Sequence, residues 1–115
     1  MGASDPKSAP TLTLVYAEWC PHCVPLSTDL APVLARGLNA SLRLLDIDVP
    51  EEERQADALV QRYGDWDPDY LIPQVFLDSG AGRVEHLLTG VRGSLPGTRS
   101  RWDQLFARFG VAEPP

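Results

Sequence analysis

Cysteine is almost absent from this chain: its 115 residues include two. Two are too few for the multi-bridge framework that staples small secreted scaffolds. At this length one domain can bury a core without such staples. Long apolar runs are missing as well, and no stretch approaches the roughly 18 residues of a spanning helix. Basic residues are outnumbered, ten against sixteen acidic for a net charge of −6. That balance argues against nucleic acid and anionic membrane surfaces as partners. The first ten residues, Met1 to Pro10, carry Asp5, Pro6 and Lys7 and lack an apolar h-region, so they do not read as a secretory signal. The expectation is a cytoplasmic protein, with a periplasmic or other extracytoplasmic one as the alternative if a signal has been removed. Repeats and dividing linkers are absent too. With 43% hydrophobic and 23% charged residues the composition is that of an ordinary globular domain.

What the chain does have is Trp19-Cys20-Pro21-His22-Cys23, which holds both cysteines. An apolar run, Thr11 to Ala17, leads in and reads as a strand covered on both faces. A helical pattern, Leu26, Leu30, Val33 and Leu34, leads out. Cys20 therefore falls where a strand gives way to a helix. Unpaired N–H groups and the helix dipole favour a thiolate at such a corner. Cys23 follows about one helical turn later, within reach of a mixed disulfide on Cys20. A Cys-x-x-Cys pair beside a βαβ pattern reads as a redox dithiol.

The rest of the chain takes the order β-α-β-α-β-β-α. The first helix is expected to run to about Arg36 and stop at Gly37. Pro25 should be tolerated in its first turn, and Pro32 should kink it. Ser41 to Ile47 is the second strand, parallel to the first through a right-handed crossover. Asp48-Val49-Pro50-Glu51-Glu52-Glu53 opens the second helix, with a proline and acidic side chains where the dipole favours them. Ala56, Leu59, Val60 and Tyr63 form its apolar stripe, and Gly64 ends it. Asp65 to Leu71 is a loop with three aspartates, Trp66 and Tyr70: either a solvated loop pinned by its aromatics or a wall of a substrate groove. Gln74 to Asp78 and Arg83 to Thr89 are strands of a hairpin turning at Ser79-Gly80-Ala81-Gly82. Gly90 to Gly97 is a connection, and a final helix over about Thr98 to Phe109 presents Trp102, Leu105, Phe106 and Phe109. The organisation is a flexible arm over 1–10, one α/β domain over 11–110, and a tail over 111–115, with a four-stranded mixed sheet flanked by three helices.

A pair of cysteines can also be half of a structural zinc site. Zinc wants four ligands, and only His22 and His86 could complete the set. His22 sits in the turn between the cysteines and is poorly placed to chelate the same ion. His86 falls on the hairpin, where it reads as a surface or half-buried strand residue. No metal and no cofactor are therefore assigned.

Tyr16-Ala17-Glu18-Trp19-Cys20-Pro21-His22-Cys23 resembles the active-site stretch of the thioredoxin superfamily, and Ile72-Pro73-Gln74-Val75-Phe76 resembles its cis-proline segment. The resemblance covers about residues 11 to 110. It implies a thioredoxin-like fold and a protein thiol–disulfide oxidoreductase with Cys20 as nucleophile and Cys23 as resolving thiol. It makes Pro21 and His22 tuning residues between them. It makes Trp19, Ile72, Pro73 and Gly90 the surface that holds a partner chain. The implied partners are disulfide-containing or dithiol proteins and a recycling reductase or oxidase, with the enzyme acting as a monomer. The chain departs from the family in four places. It begins almost at the active-site strand, as in the shorter glutaredoxin-like core, yet lacks that family's glycine-rich glutathione motif. Leu14 stands where thioredoxins carry a buried carboxylate. The Pro-His pair is like that of DsbA-type oxidases, whose helical insertion is missing. The segment between Gly64 and Ile72 is longer than in thioredoxin.

Direction of electron flow follows from the thiolate. Each pKa unit by which Cys20 is lowered moves a two-electron couple by about 30 mV toward oxidising. A protonated His22 would push the site that way. The readings left open are a reductase, an extracytoplasmic oxidase, and a binding module whose dithiol only switches a docking surface.

Overall fold

The computed structural model describes residues 9–115, so the arm expected over 1–10 lies almost wholly outside the described residues. The strands are β1 (Thr11–Tyr16), β2 (Ser41–Asp46), β3 (Gln74–Asp78) and β4 (Val84–Thr89). The helices are α1 (Thr28–Gly37), α2 (Pro50–Tyr63) and α3 (Leu95–Phe109), in the order β1-α1-β2-α2-β3-β4-α3. They form a mixed α/β architecture on one four-stranded sheet ordered β2-β1-β3-β4. β1 pairs in parallel with β2, Leu14 opposite Leu44, because α1 carries the chain back along the sheet before β2 begins. β3 runs antiparallel to both β1 and β4, the latter joined by the tight turn at Ser79–Gly82, with a register shift between Val75 and Phe76.

Side chains alternate across the central strands, and the two faces bury different helices. Leu12 and Leu14 of β1, Val75 of β3 and Leu88 of β4 pack against Leu30 and Leu34 of α1 and Trp102 and Phe106 of α3. Val15, Leu45 and Phe76 face the other way, onto Ala56 and Val60 of α2. The near-continuous apolar character of β1 is thus explained by cover on both sides. The residues after α3 also dock: Val111 packs on the first core and donates its N–H to the Phe106 carbonyl at 3.0 Å.

Two boundaries differ from the sequence reading. The helix expected from Cys20 onward is interrupted. His22–Ser27 forms irregular turns in which Val24 is extended (φ −123, ψ 124) before a cis Val24–Pro25 bond, and regular α-helix starts only at Thr28. A residue preceding proline is driven out of the helical region by the ring, so Pro25 breaks the helix rather than being absorbed by it. Pro32 lies within α1 without dividing it. At the other end, α3 begins at Leu95 instead of Thr98. Ser94 caps it, accepting the Gly97 N–H on Oγ at 3.0 Å, and Pro96 in the first turn has no N–H to satisfy.

Ser94→Ala should lower the stability by about 1 kcal/mol in chemical denaturation, and Ser94→Asp should keep most of it. Equal stability of all three proteins would mean that the cap contributes nothing.

Candidate active site at the dithiol

β1 ends at Tyr16, and the buried Ala17 turns the chain outward through exposed Glu18 and Trp19. The Cys20 N–H returns to the Ala17 carbonyl at 3.2 Å, which closes this turn. The Cys20 carbonyl then accepts the N–H groups of Cys23 and Val24, both at 2.9 Å. The short turn places the two sulfurs together. Both cysteines are free thiols, Cys20 6% exposed and Cys23 fully buried, in one cluster with Ala17. Burial pushes the Cys23 thiol well above the free-thiol range, and its hydrogen bond to Cys20 adds to this. The Ala17 amide against its sulfur acts the other way. Cys20 is thus nearly enclosed, and Cys23 lies wholly enclosed behind it with its thiol held protonated.

Ile72 and Pro73 sit beside this pair, joined by a cis peptide. The Cys20 thiol donates toward the Ile72 carbonyl at 3.8 Å. Gly90 closes the arrangement from β4. Its N–H reaches the Pro73 carbonyl at 2.9 Å, and a Cβ there would lie 2.9 Å from Pro73 Cδ and 3.1 Å from the Ile72 oxygen. Trp19, Cys20, His22, Ile72, Gly90 and Arg92 border a shallow cleft of about 210 Å³. Pro21 is exposed and borders a different hollow, together with Pro25, Leu95 and Pro114. Of the site residues named from the sequence, all but Pro21 and the buried Cys23 and Pro73 line the Cys20 cleft.

His22 is fixed by the C-terminal helix. Its Nδ1 lies 2.7 Å from the Thr98 hydroxyl, which also accepts the Val91 N–H at 2.8 Å. With that lone pair taken, the hydroxyl proton is free to bond Nδ1. The His22 carbonyl accepts from Ser27 Oγ at 2.6 Å, and Ser27 in turn accepts the Trp102 indole N–H at 2.9 Å. Thr98, Ser27 and Trp102 are all buried, so both ends of His22 are held from the core.

The loop Asp65 to Leu71 is pinned by a residue that sequence reasoning passed over. Gln74 is fully buried. It accepts the Asp65 N–H at 3.1 Å and donates to the carbonyls of Asp65 and Leu71 at 3.2 and 3.0 Å. Gly64 leaves room for it, since a Cβ there would meet Gln74 Oε1 at 2.5 Å. Tyr70 adds a bond to Asp57 on α2 at 2.8 Å, and Trp66 packs on Tyr70 with ring centroids 5.5 Å apart. Thr89 Oγ1 donates to Asp65 Oδ2 at 2.5 Å and takes the His86 Nε2 proton at 2.7 Å. The half-buried His86 thus belongs to the loop's anchoring rather than to the dithiol. The loop also walls a cleft of about 580 Å³ that runs on to Gly90 and Arg92. The signal for Gln74 was available: a polar amide inside an apolar strand needs partners. Thr98 carried no comparable sign.

Among the described residues, no three His, Cys, Asp or Glu side chains converge as metal ligands do, and no helix is long and apolar enough to cross a membrane. Compared with protein-family models and with curated proteins, the chain matches none.

Gln74→Leu would leave three backbone groups of the loop without their partner and should cost about 2–3 kcal/mol, with faster amide exchange at Asp65. Gly90→Ala should cost about 1–3 kcal/mol through overpacking on Pro73. Denaturation curves check both; wild-type stability in either variant would contradict the packing described.

Proposed function

We propose that this protein is a thiol–disulfide oxidoreductase with a thioredoxin-like fold, working on protein substrates through Cys20 and Cys23. The observation that carries the reading is the pair of touching thiols, one bordering an open cleft and one buried, beside cis Ile72–Pro73. Thioredoxin-like proteins use that combination for disulfide exchange. Here it rests on this chain's own motif and geometry.

In the reducing direction, the Cys20 thiolate attacks one sulfur of a substrate disulfide. A Cys20–substrate bond forms, and the other substrate sulfur leaves as a thiolate that takes up a proton. Cys23 then loses its proton and attacks the Cys20 sulfur. The Cys20–Cys23 disulfide forms, and the second substrate thiol departs. Two electrons pass from the dithiol to the substrate, and the reverse sequence oxidises a substrate dithiol. The backbone of Ile72, which holds the resting Cys20 thiol, is positioned to meet an incoming chain. Trp19 and Gly90 flank the same opening. Recycling requires a reductase or an oxidase according to direction.

The buried Cys23 sets the pH dependence. Its pKa is raised, so at neutral pH little of it is thiolate, and that fraction grows about tenfold per pH unit below the pKa. Resolution of a mixed disulfide should accelerate with pH in the same proportion from about pH 6 to about pH 8.5. Catalysis itself is tested by dithiothreitol-driven reduction of insulin. Wild type should speed it, Cys20→Ser should not, and Cys23→Ser should accumulate a covalent complex with the substrate. Insulin reduction at the uncatalysed rate by wild type would reject the proposal, and a pH-independent resolution step would reject the role given to Cys23.

A further inference from the structure

Two of the three tryptophans are at the surface, Trp19 66% and Trp66 42% exposed, whereas Trp102 is fully buried. Both exposed indoles border the same open cleft of about 340 Å³ on the α2 side of the dithiol, and Tyr70, packed on Trp66, lines it too. The remaining polar lining consists of carboxylates: Glu53 and Asp57 from α2 and Asp69 from the loop, with no basic residue. The neighbouring cleft that runs along the loop to Gly90 is different, because Arg92 and Arg101 line it.

We infer that this cleft is a specificity subsite for an arginine side chain of the substrate polypeptide, a few residues from the cysteine that Cys20 attacks. The inference rests on the disulfide-exchange reading, since Trp19 connects the cleft to Cys20. Exposed indole surface is costly to leave in water, and a guanidinium stacks on it well because the plane is weakly hydrated and the ring faces are electron-rich. The three carboxylates supply the matching charge. A purely apolar side chain would gain from the indoles alone and leave the carboxylates unpaired, and an acidic one would be repelled. Asp57 is tied to the Tyr70 hydroxyl, which leaves Glu53 and Asp69 as the groups most free to approach a bound cation. The anchoring of the loop by Gln74 and Asp65 gives the cleft a fixed wall, so little ordering is needed on binding. The loop therefore selects partners by charge as well as by shape.

Binding can be measured apart from chemistry. Two cysteine-free pentapeptides that differ only in arginine against citrulline are titrated into the intact protein at low salt. Indole fluorescence is followed, and a norleucine peptide serves as the apolar comparison. The arginine peptide should bind about tenfold more tightly than the citrulline one. The preference should shrink in the Glu53→Gln/Asp69→Asn double variant and in Trp66→Ala. Equal affinities, a stronger norleucine peptide, or no binding by any of the three would overturn the inference. The same sequences carrying a disulfide then separate the two layers of the account. Faster exchange with the arginine version supports the subsite, and equal exchange rates oppose it. Failure to exchange with either, alongside selective binding, would reject the oxidoreductase reading and leave the cation subsite standing.

Discussion

At Gly90 two stretches of backbone meet with no side chain between them. The Gly90 amide bonds the Pro73 carbonyl, and the absent Cβ leaves the space that the Pro73 ring and the Ile72 oxygen fill. That close approach fixes the Ile72–Pro73 segment where β3 begins, and the Ile72 carbonyl lies within reach of the Cys20 sulfur. Three pieces distant in sequence, the turn after β1, the start of β3 and the end of β4, are thereby held at one end of the sheet. The corner that holds Cys20 is an outcome of sheet order. β1 and β3 are neighbours, and β4 lies outside β3, so their ends come together on one side of the molecule.

Beside the apolar cluster of Ala17, Ile47 and Ile72, several buried polar groups surround that contact. Ser27, Gln74, Thr89 and Thr98 are nearly or fully enclosed, and each is hydrogen-bonded. They act where the backbone has no regular partner: the irregular turns after Cys23, the two ends of the aspartate-rich loop, and the entry to α3. A buried polar group is costly when unpaired and directional when paired, so such residues fix position where packing alone would allow several arrangements. The result joins the loop, the histidine between the cysteines and the C-terminal helix to the dithiol.

Periodicity made much of this legible. The apolar run of β1, the stripe of α2 and the hairpin turn give the element order, and the strand–helix–strand spacing gives parallel pairing of β1 with β2. Cys20 and Cys23 are legible from their spacing, Ile72, Pro73 and Gly90 only through the resemblance, and these residues do lie together. What escaped was set by chain neighbours or by tertiary contact. Val24 leaves the helix because of the residue that follows it, and the glycines and prolines before Thr98 masked the cap at Ser94. Gln74 and Thr98 mattered only through partners far along the chain. Hydrophobic patterns report which face is buried, and they are silent about which buried hydroxyl meets which imidazole.

The most direct test of the central claim is the redox state of the two thiols at equilibrium in glutathione buffers of graded potential, read by mass after acid quenching. The account requires one two-electron transition from the free dithiol to an intramolecular Cys20–Cys23 disulfide. Two thiols that take up glutathione independently, with no internal bridge at any potential, would contradict it.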